Sequence, residues 1–296
     1  STNGSSGTLS GGIVTAVNGV ATFSNLKISG APGTYAITFS AVSSGITLDA
    51  PGAMHVTILA GAPNKLEVGT AAAGARSRIA IATAPVIRVL DSSNNLVNAT
   101  PVVTVTLLDA DGNPTSEATL SGDLTRVTAN GLADFGIADA GGTLDPLVIS
   151  GTIGTYTLHY EIAAGANNSY PAASVEHTIT VTPGVSTSLA MATQPAGGKT
   201  GDVLSTQPAV KLIDADGNLV TNDSSTVVSA VVVGVRTPVV GQNAPSDGVL
   251  LDSSYNVLGS APTQTAASGV ARFSGLRVKG APGNTYAIQF TATLNG

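Results

Sequence analysis

Apolar and polar positions alternate in short runs along this chain, and the same runs return. In Thr34-Tyr-Ala-Ile-Thr-Phe39 the large side chains Tyr35, Ile37 and Phe39 are separated by Ala36 and Thr38. Thr155-Tyr-Thr-Leu-His-Tyr160 and Thr285-Tyr-Ala-Ile-Gln-Phe290 repeat the pattern. A period of two belongs to a strand with one buried face. Asn18-Gly19, Asp111-Gly112, Asn130-Gly131 and Asp216-Gly217 fall between such runs. Asn-Gly and Asp-Gly supply the positive φ angles of tight hairpins. Many short strands broken by these turns predict an all-β chain of antiparallel sandwiches. Ala71 to Ala82 has helix-friendly composition, but it aligns with Gln194-Pro-Ala-Gly-Gly-Lys-Thr-Gly201. Proline and glycines there oppose a helix, so both segments read as extended.

Longer repeats organise these runs. Gly19-Val-Ala-Thr-Phe23, Gly131-Leu-Ala-Asp-Phe135 and Gly269-Val-Ala-Arg-Phe273 are copies of one phrase, and a Thr-Tyr phrase follows each. Pro85 to Asp91 matches Pro208 to Asp214, and Asn95-Leu-Val97 matches Asn218-Leu-Val220. One offset relates Leu66 to Leu189 and Asp91 to Asp214. The expected division is 1–61 as the C-terminal half of a unit, 62–183 as a complete unit, and 184–296 as a unit stopping before its final strand. Lys65 to Val68 and Ser188 to Met191 open units, while Met54 to Leu59 and Val175 to Val181 close them. A piece of a longer tandem array is the expectation.

Composition narrows the class. Only 10% of the 296 residues are charged and 4% aromatic, and there is no Cys or Trp. Ordinary chains carry roughly 25% charged residues. The formal charge is −6, and the 12 basic residues form no run, which argues against nucleic acid and anionic membrane surfaces. No apolar stretch is long enough for a membrane helix. Absence of cysteine removes disulfides, thiolate catalysis and Cys-based metal sites.

Met191-Ala-Thr-Gln-Pro195, Gln207 to Val220 and Val17 to Leu26 resemble bacterial Ig-like repeats. These occur in large prokaryotic surface proteins, including adhesins of the invasin and intimin type and surface-layer proteins. The resemblance implies tandem immunoglobulin-like sandwiches in a rod-like array at the cell surface. The middle unit departs from it, with Ala71-Ala72 where the last has Gln194-Pro195, and with an elongated 136–150 stretch.

Candidate chemistry is sparse. Asp109-Ala-Asp111-Gly112-Asn113 and Asp214-Ala-Asp216-Gly217-Asn218 present oxygen ligands suited to calcium. The twelfth position of an EF-hand needs an acid, but Leu120 and Ser225 stand there. A turn with Asp and Asn bonding the local backbone is the favoured reading, and calcium the alternative. Asp91 with Asn94 and Asn95 makes a weaker version. His55 and His159 fall on outward positions; His177 takes the inward slot that Met54 holds in the first unit. No Gly-x-Ser-x-Gly elbow or His-x-x-x-His spacing appears, so an enzyme is not expected. Asn3, Asn98, Asn167 and Asn222 begin glycosylation sequons, which also recur by chance in a Ser/Thr-rich chain.

The expected role is structural and extracellular: a surface-layer, sheath or filament component that self-associates through neighbouring repeats or copies. The alternative is an adhesin stalk or a module recognising a receptor or glycan. The loops at 136–150 or 237–262, with Pro238, Pro245 and Pro262, would then make the contact. Strand exchange between copies is a third reading. The connections Ala60-Gly-Ala-Pro63 and Thr182-Pro-Gly-Val185 are short and contain proline, which limits bending.

Overall fold

The computed structural model describes residues 7–43, 45–49, 52–138, 141–166, 169–237, 248–252 and 254–293. Among them every regular element is a strand. The middle repeat shows why. Val102–Leu108, Gly154–Ile162 and Ala173–Thr182 lie side by side, flanked by Thr125–Val127 and Ala75–Arg76 in a five-stranded sheet. Facing it, Val86–Leu90 pairs with Lys65–Thr70 and Leu132–Asp134. Val103, Val105, Leu158 and Tyr160 from one sheet and Ile87 and Val89 from the other are wholly buried. The alternation read from the sequence is therefore the inner face of a sandwich. Ala75–Arg76 runs parallel to Ala173–Thr182, so the Ala-rich stretch is extended at this point.

The third repeat reuses the plan with a separate core of Val210, Leu212, Val228, Ala230 and Phe273. Ser188–Thr193, Ala209–Ile213 and Val270–Arg272 form one sheet; Thr263–Thr265, Val227–Thr237 and Thr285–Ala292 form another. In the first repeat Gly33–Ile37 pairs with Met54–Ile58, and Ser40–Ser43 with Ile46–Asp49. Met54, expected inward, is 63% exposed. Its cross-strand partner Ile37 and Tyr35 are buried and lie around one pocket with Thr8, Leu9 and Ile28 of the paired strands Thr8–Ser10 and Lys27–Ser29, but Met54 at the start of its strand is not covered.

The repeated phrases meet in space. Phe23 packs on Phe39 at 5.2 Å between ring centroids, Phe135 on Tyr160 at 5.9 Å, and Phe273 on Phe290 at 5.3 Å. Each tilted pair joins the Gly-x-Ala-x-Phe strand to the Thr-Tyr strand and contributes about 1 kcal/mol beyond its area. The tyrosine of each Thr-Tyr phrase is pinned as well. Tyr35 Oη donates to Ala31 O at 2.6 Å and Tyr156 Oη to Thr152 O at 2.8 Å, while Tyr286 Oη accepts from Ala281 N at 2.7 Å. This is the tyrosine corner of immunoglobulin-like sandwiches. Asn18-Gly19 and Asn130-Gly131 make two-residue turns with both φ angles positive, and Ser268-Gly269 does the same in the third repeat. The 136–150 stretch is not all loop: Val148–Gly151 is a strand paired with Ala118–Ser121, and Ile149 is fully buried. Residues 139 and 140 lie outside the described residues.

Tyr160 differs from its counterparts Phe39 and Phe290 by one hydroxyl, which is buried without a hydrogen-bond partner. Burial also pushes its pKa upward, holding it protonated. An orphaned buried hydroxyl costs about 1–3 kcal/mol. Tyr160→Phe should therefore raise the middle repeat's stability by about 1 kcal/mol in denaturant unfolding. A loss of stability would show that the hydroxyl has a partner.

Candidate functional site

The Asp-x-x-x-Asn segments share one turn. In Asp91–Asn95, Asp109–Asn113, Asp214–Asn218 and Asp252–Asn256 the Asp N–H donates to the Asn carbonyl. Its Oδ1 accepts the N–H groups two and four residues ahead, as Asp109 does from Asp111 and Asn113 at 3.0 and 2.8 Å. The fourth residue has positive φ in all four: Asn94, Gly112, Gly217 and Tyr255. Gly and Asn adopt this conformation readily. The Asp-Gly pairs thus close five-residue turns rather than two-residue hairpins. Sequence reading missed the Asp252 turn because Tyr255 occupies the position that elsewhere carries Gly or Asn. Arg277 stacks over that ring at 4.8 Å.

Two of these turns do more than reverse the chain. Asp91 Oδ2 accepts from Gly61 N at 2.8 Å, and Asp214 Oδ2 from Gly184 N at 2.9 Å. The donors are the equivalent glycines of the two inter-repeat connections. Gly184 is buried. A Cβ there would lie 2.6 Å from Ser77 O, so only glycine allows this approach.

At the second connection the turn also grips the preceding repeat. Asp216 Oδ1 receives Arg78 Nε at 2.7 Å, and Arg78 Nη2 lies 2.6 Å away. Oδ2 receives Ser77 Oγ, and Gly151 N at 3.1 Å. Asn218 Nδ2 donates to Gly151 O at 2.9 Å, and its Oδ1 accepts from Ile153 N at 3.3 Å. Arg76 closes the back by donating to Pro183 O and Gly184 O. The hydrogen bond and charge of Arg78 hold the Asp216 carboxyl below its ordinary value against the opposing effect of desolvation. For Asp223 desolvation acts upward, but Thr226 and Ser225 donors prevail and bring it to about 2. Asp223 also accepts from Ser186 of the connection at 3.2 Å.

The remaining candidates scatter. Asp109, Asp111 and Asn113 sit on a solvent-facing turn, away from Asp214, Asp216 and Asn218. Among the described residues no three His, Asp or Glu side chains gather at metal-binding spacing. His55 is exposed, His159 contacts Glu176 at 3.0 Å on the outer sheet face, and His177 Nε2 meets Ala72 O at 2.9 Å. Asn98 and Asn222 are exposed. Asn3, Asn167, Pro238 and Pro245 lie outside the described residues; Pro262 O accepts from Ala230 N.

No family model matches the chain, and no curated protein matches it. Among solved structures it is similar to FdeC, an Escherichia coli adhesin, at 19% identity and TM-score 0.39, covering 86% of this chain and 76% of that one. It is similar to the FN1–FN3 domains of chicken CNTN1 at 11% identity and TM-score 0.25, covering 86% and 70%. Bacteroides uniformis beta-glucuronidase 3 matches at 12% identity and TM-score 0.22, with 77% of this chain but only 23% of that one covered. At these identities and scores the likeness stops at architecture.

A carboxylate with a depressed pKa contributes to docking above its ordinary value and loses the contribution as pH falls through the depressed one. Asp216, ordinarily at 3.8, should thus hold the junction at neutral pH and release it progressively below about pH 4. Asp216→Asn should weaken docking by about 2 kcal/mol at neutral pH. The readout is the amide shifts of Gly151 and Ile153, which should move together in both experiments.

Proposed function

We propose that this chain is a non-catalytic structural part of the cell exterior, a rod of immunoglobulin-like repeats divided at 62–183 and 184–296, with 1–61 a partial repeat. The observation that carries this reading is the junction. Pro183 and Gly184 are buried, and Asp214, Asp216 and Asn218 bind the connection and the preceding repeat together. A flexible linker would leave its backbone groups to water. Here they are held by side chains from both sides, which suits a spacer that resists bending.

Surface chemistry supports the same role. Outer strand faces carry Ser and Thr, as with Thr104, Thr106 and Thr178, and paired hydroxyls such as Ser229 with Thr291 at 2.8 Å. Few charges and few aromatics make a poor hot-spot surface for one tight partner. They suit weak lateral contacts with neighbouring repeats or copies. The chain reads as a stalk, sheath or surface-layer element outside the cell, with no reaction of its own.

Electron microscopy of the 296-residue chain, with calcium and after chelation, tests the reading. Thin straight rods in both conditions are expected. Flexible beads would contradict the rigid spacer. Ordered sheets that dissolve on chelation would replace it with a metal-linked lattice.

A further inference from the structure

Tyr255 departs from two patterns at once. Of the six tyrosines and five phenylalanines it alone is exposed, at 61%. It also holds φ at 64°, at a position that carries Asn94, Gly112 or Gly217 in the sibling turns. A bulky residue is strained there, and Gly or Asn would close the turn at lower cost. Turn formation therefore does not account for the ring.

The surroundings of the ring are cationic. Arg277 lies over it at 4.8 Å, and its Nη1 donates to Gly201 O at 3.3 Å. The other guanidinium N–H groups meet no acceptor among the described residues. Lys279 follows two residues along the strand Arg277–Lys279. Lys199 sits on the loop whose Thr200 Oγ1 donates to Gly280 O at 2.9 Å, and both lysines are exposed. Of the acids in these segments, Asp252 is turned into its own loop, accepting from Ser254 N, Asn256 N and Asn256 Nδ2; Asp202 is exposed. The middle repeat has no such set. The bridges Ala80–Val148 and Val203–Arg277 make Val148 the counterpart of Arg277, and hence Ser150 that of Lys279. The fold itself does not ask for these cations.

We propose that Tyr255 and Arg277, with Lys279 and Lys199 beside them, bind an acidic saccharide: a pyranose whose C–H face packs on the tyrosine ring and whose carboxylate pairs with the guanidinium. A tyrosine offers a rigid apolar face with a polar tip, at low cost in side-chain entropy. The planar guanidinium matches a carboxylate through two parallel hydrogen bonds, and the lysines add attraction at longer range. A neutral sugar would leave the cations unused, and a small inorganic anion would leave the ring unused. The site gives the rod a point of attachment to charged glycans, beyond its role as a spacer.

Titration of the 296-residue chain with trigalacturonate, followed by NMR of the Tyr255 ring and Arg277 side chain, tests this. Saturable shifts of both are expected, with the methyl ester of the same trisaccharide at least about tenfold weaker. Arg277→Gln and Tyr255→Asn should each weaken binding at least about tenfold. Tyr255→Asn should meanwhile keep or raise the unfolding midpoint, because Asn tolerates the positive φ. Absence of binding, equal binding of the methyl ester, or undiminished binding by either variant would overturn the proposal. A lowered midpoint in Tyr255→Asn would assign the ring to packing and overturn it as well.

Discussion

One carboxylate at the end of a strand sets the geometry on which the rest of this structure depends. Asp214 is 3% exposed and accepts from Gly184 N, Asp216 N, Asn218 N and Asn218 Nδ2. Asp91, 4% exposed, does the same with Gly61 N, Ser93 N, Asn95 N and Asn95 Nδ2. A buried carboxylate left without donors would be strongly disfavoured, so the turn and the connection must both be in place for the charge to be tolerated. Desolvation raises each pKa, and the converging donors more than reverse it. The entry of a repeat is thereby tied to the end of its own Val86–Leu90 or Ala209–Ile213 strand.

From that fixed point the rest follows. With Asp214 holding the connection, the neighbouring Asp216 and Asn218 reach Ser77, Arg78, Gly151 and Ile153 of the preceding sandwich. The position equivalent to Asp216 in the middle repeat is Ser93, which makes the turn but carries no charge to offer across a junction. Within each repeat, stability rests on its own aromatic pair and tyrosine corner. Local cores joined by polar contacts let such arrays lengthen without redesign of the core.

Much of the fold was legible because period-two alternation and Asn-Gly turns are local signals. Tyr156, Leu158 and Tyr160 are buried as their spacing indicates, and the Ala71–Ala82 segment is non-helical, with a short strand at Ala75–Arg76 and a turn at Ser77-Arg78. Met54 shows the limit, since its register sets it opposite buried Ile37, yet at the start of its strand it stays exposed. The candidate site was half legible. Asp214, Asp216 and Asn218 stood out as oxygen-bearing side chains, yet their partners Ser77, Arg78 and Gly151 are distant in sequence and carry no motif. A usable signal was present: each connection glycine precedes its Asp by the same interval, as Gly61 to Asp91 and Gly184 to Asp214 show. Tyr255 hid a fourth turn because backbone strain at a bulky residue leaves no trace in a sequence pattern.

The central claim is that the polar junction fixes the middle and third repeats against each other. The absence of native cysteine allows spin labels at Thr180→Cys and Arg272→Cys, both exposed, for distance measurement between the two repeats. The account gives one narrow distance distribution at neutral pH that broadens when Asp216→Ala is added. A broad distribution in the parent chain, or a narrow one indifferent to Asp216, would contradict it.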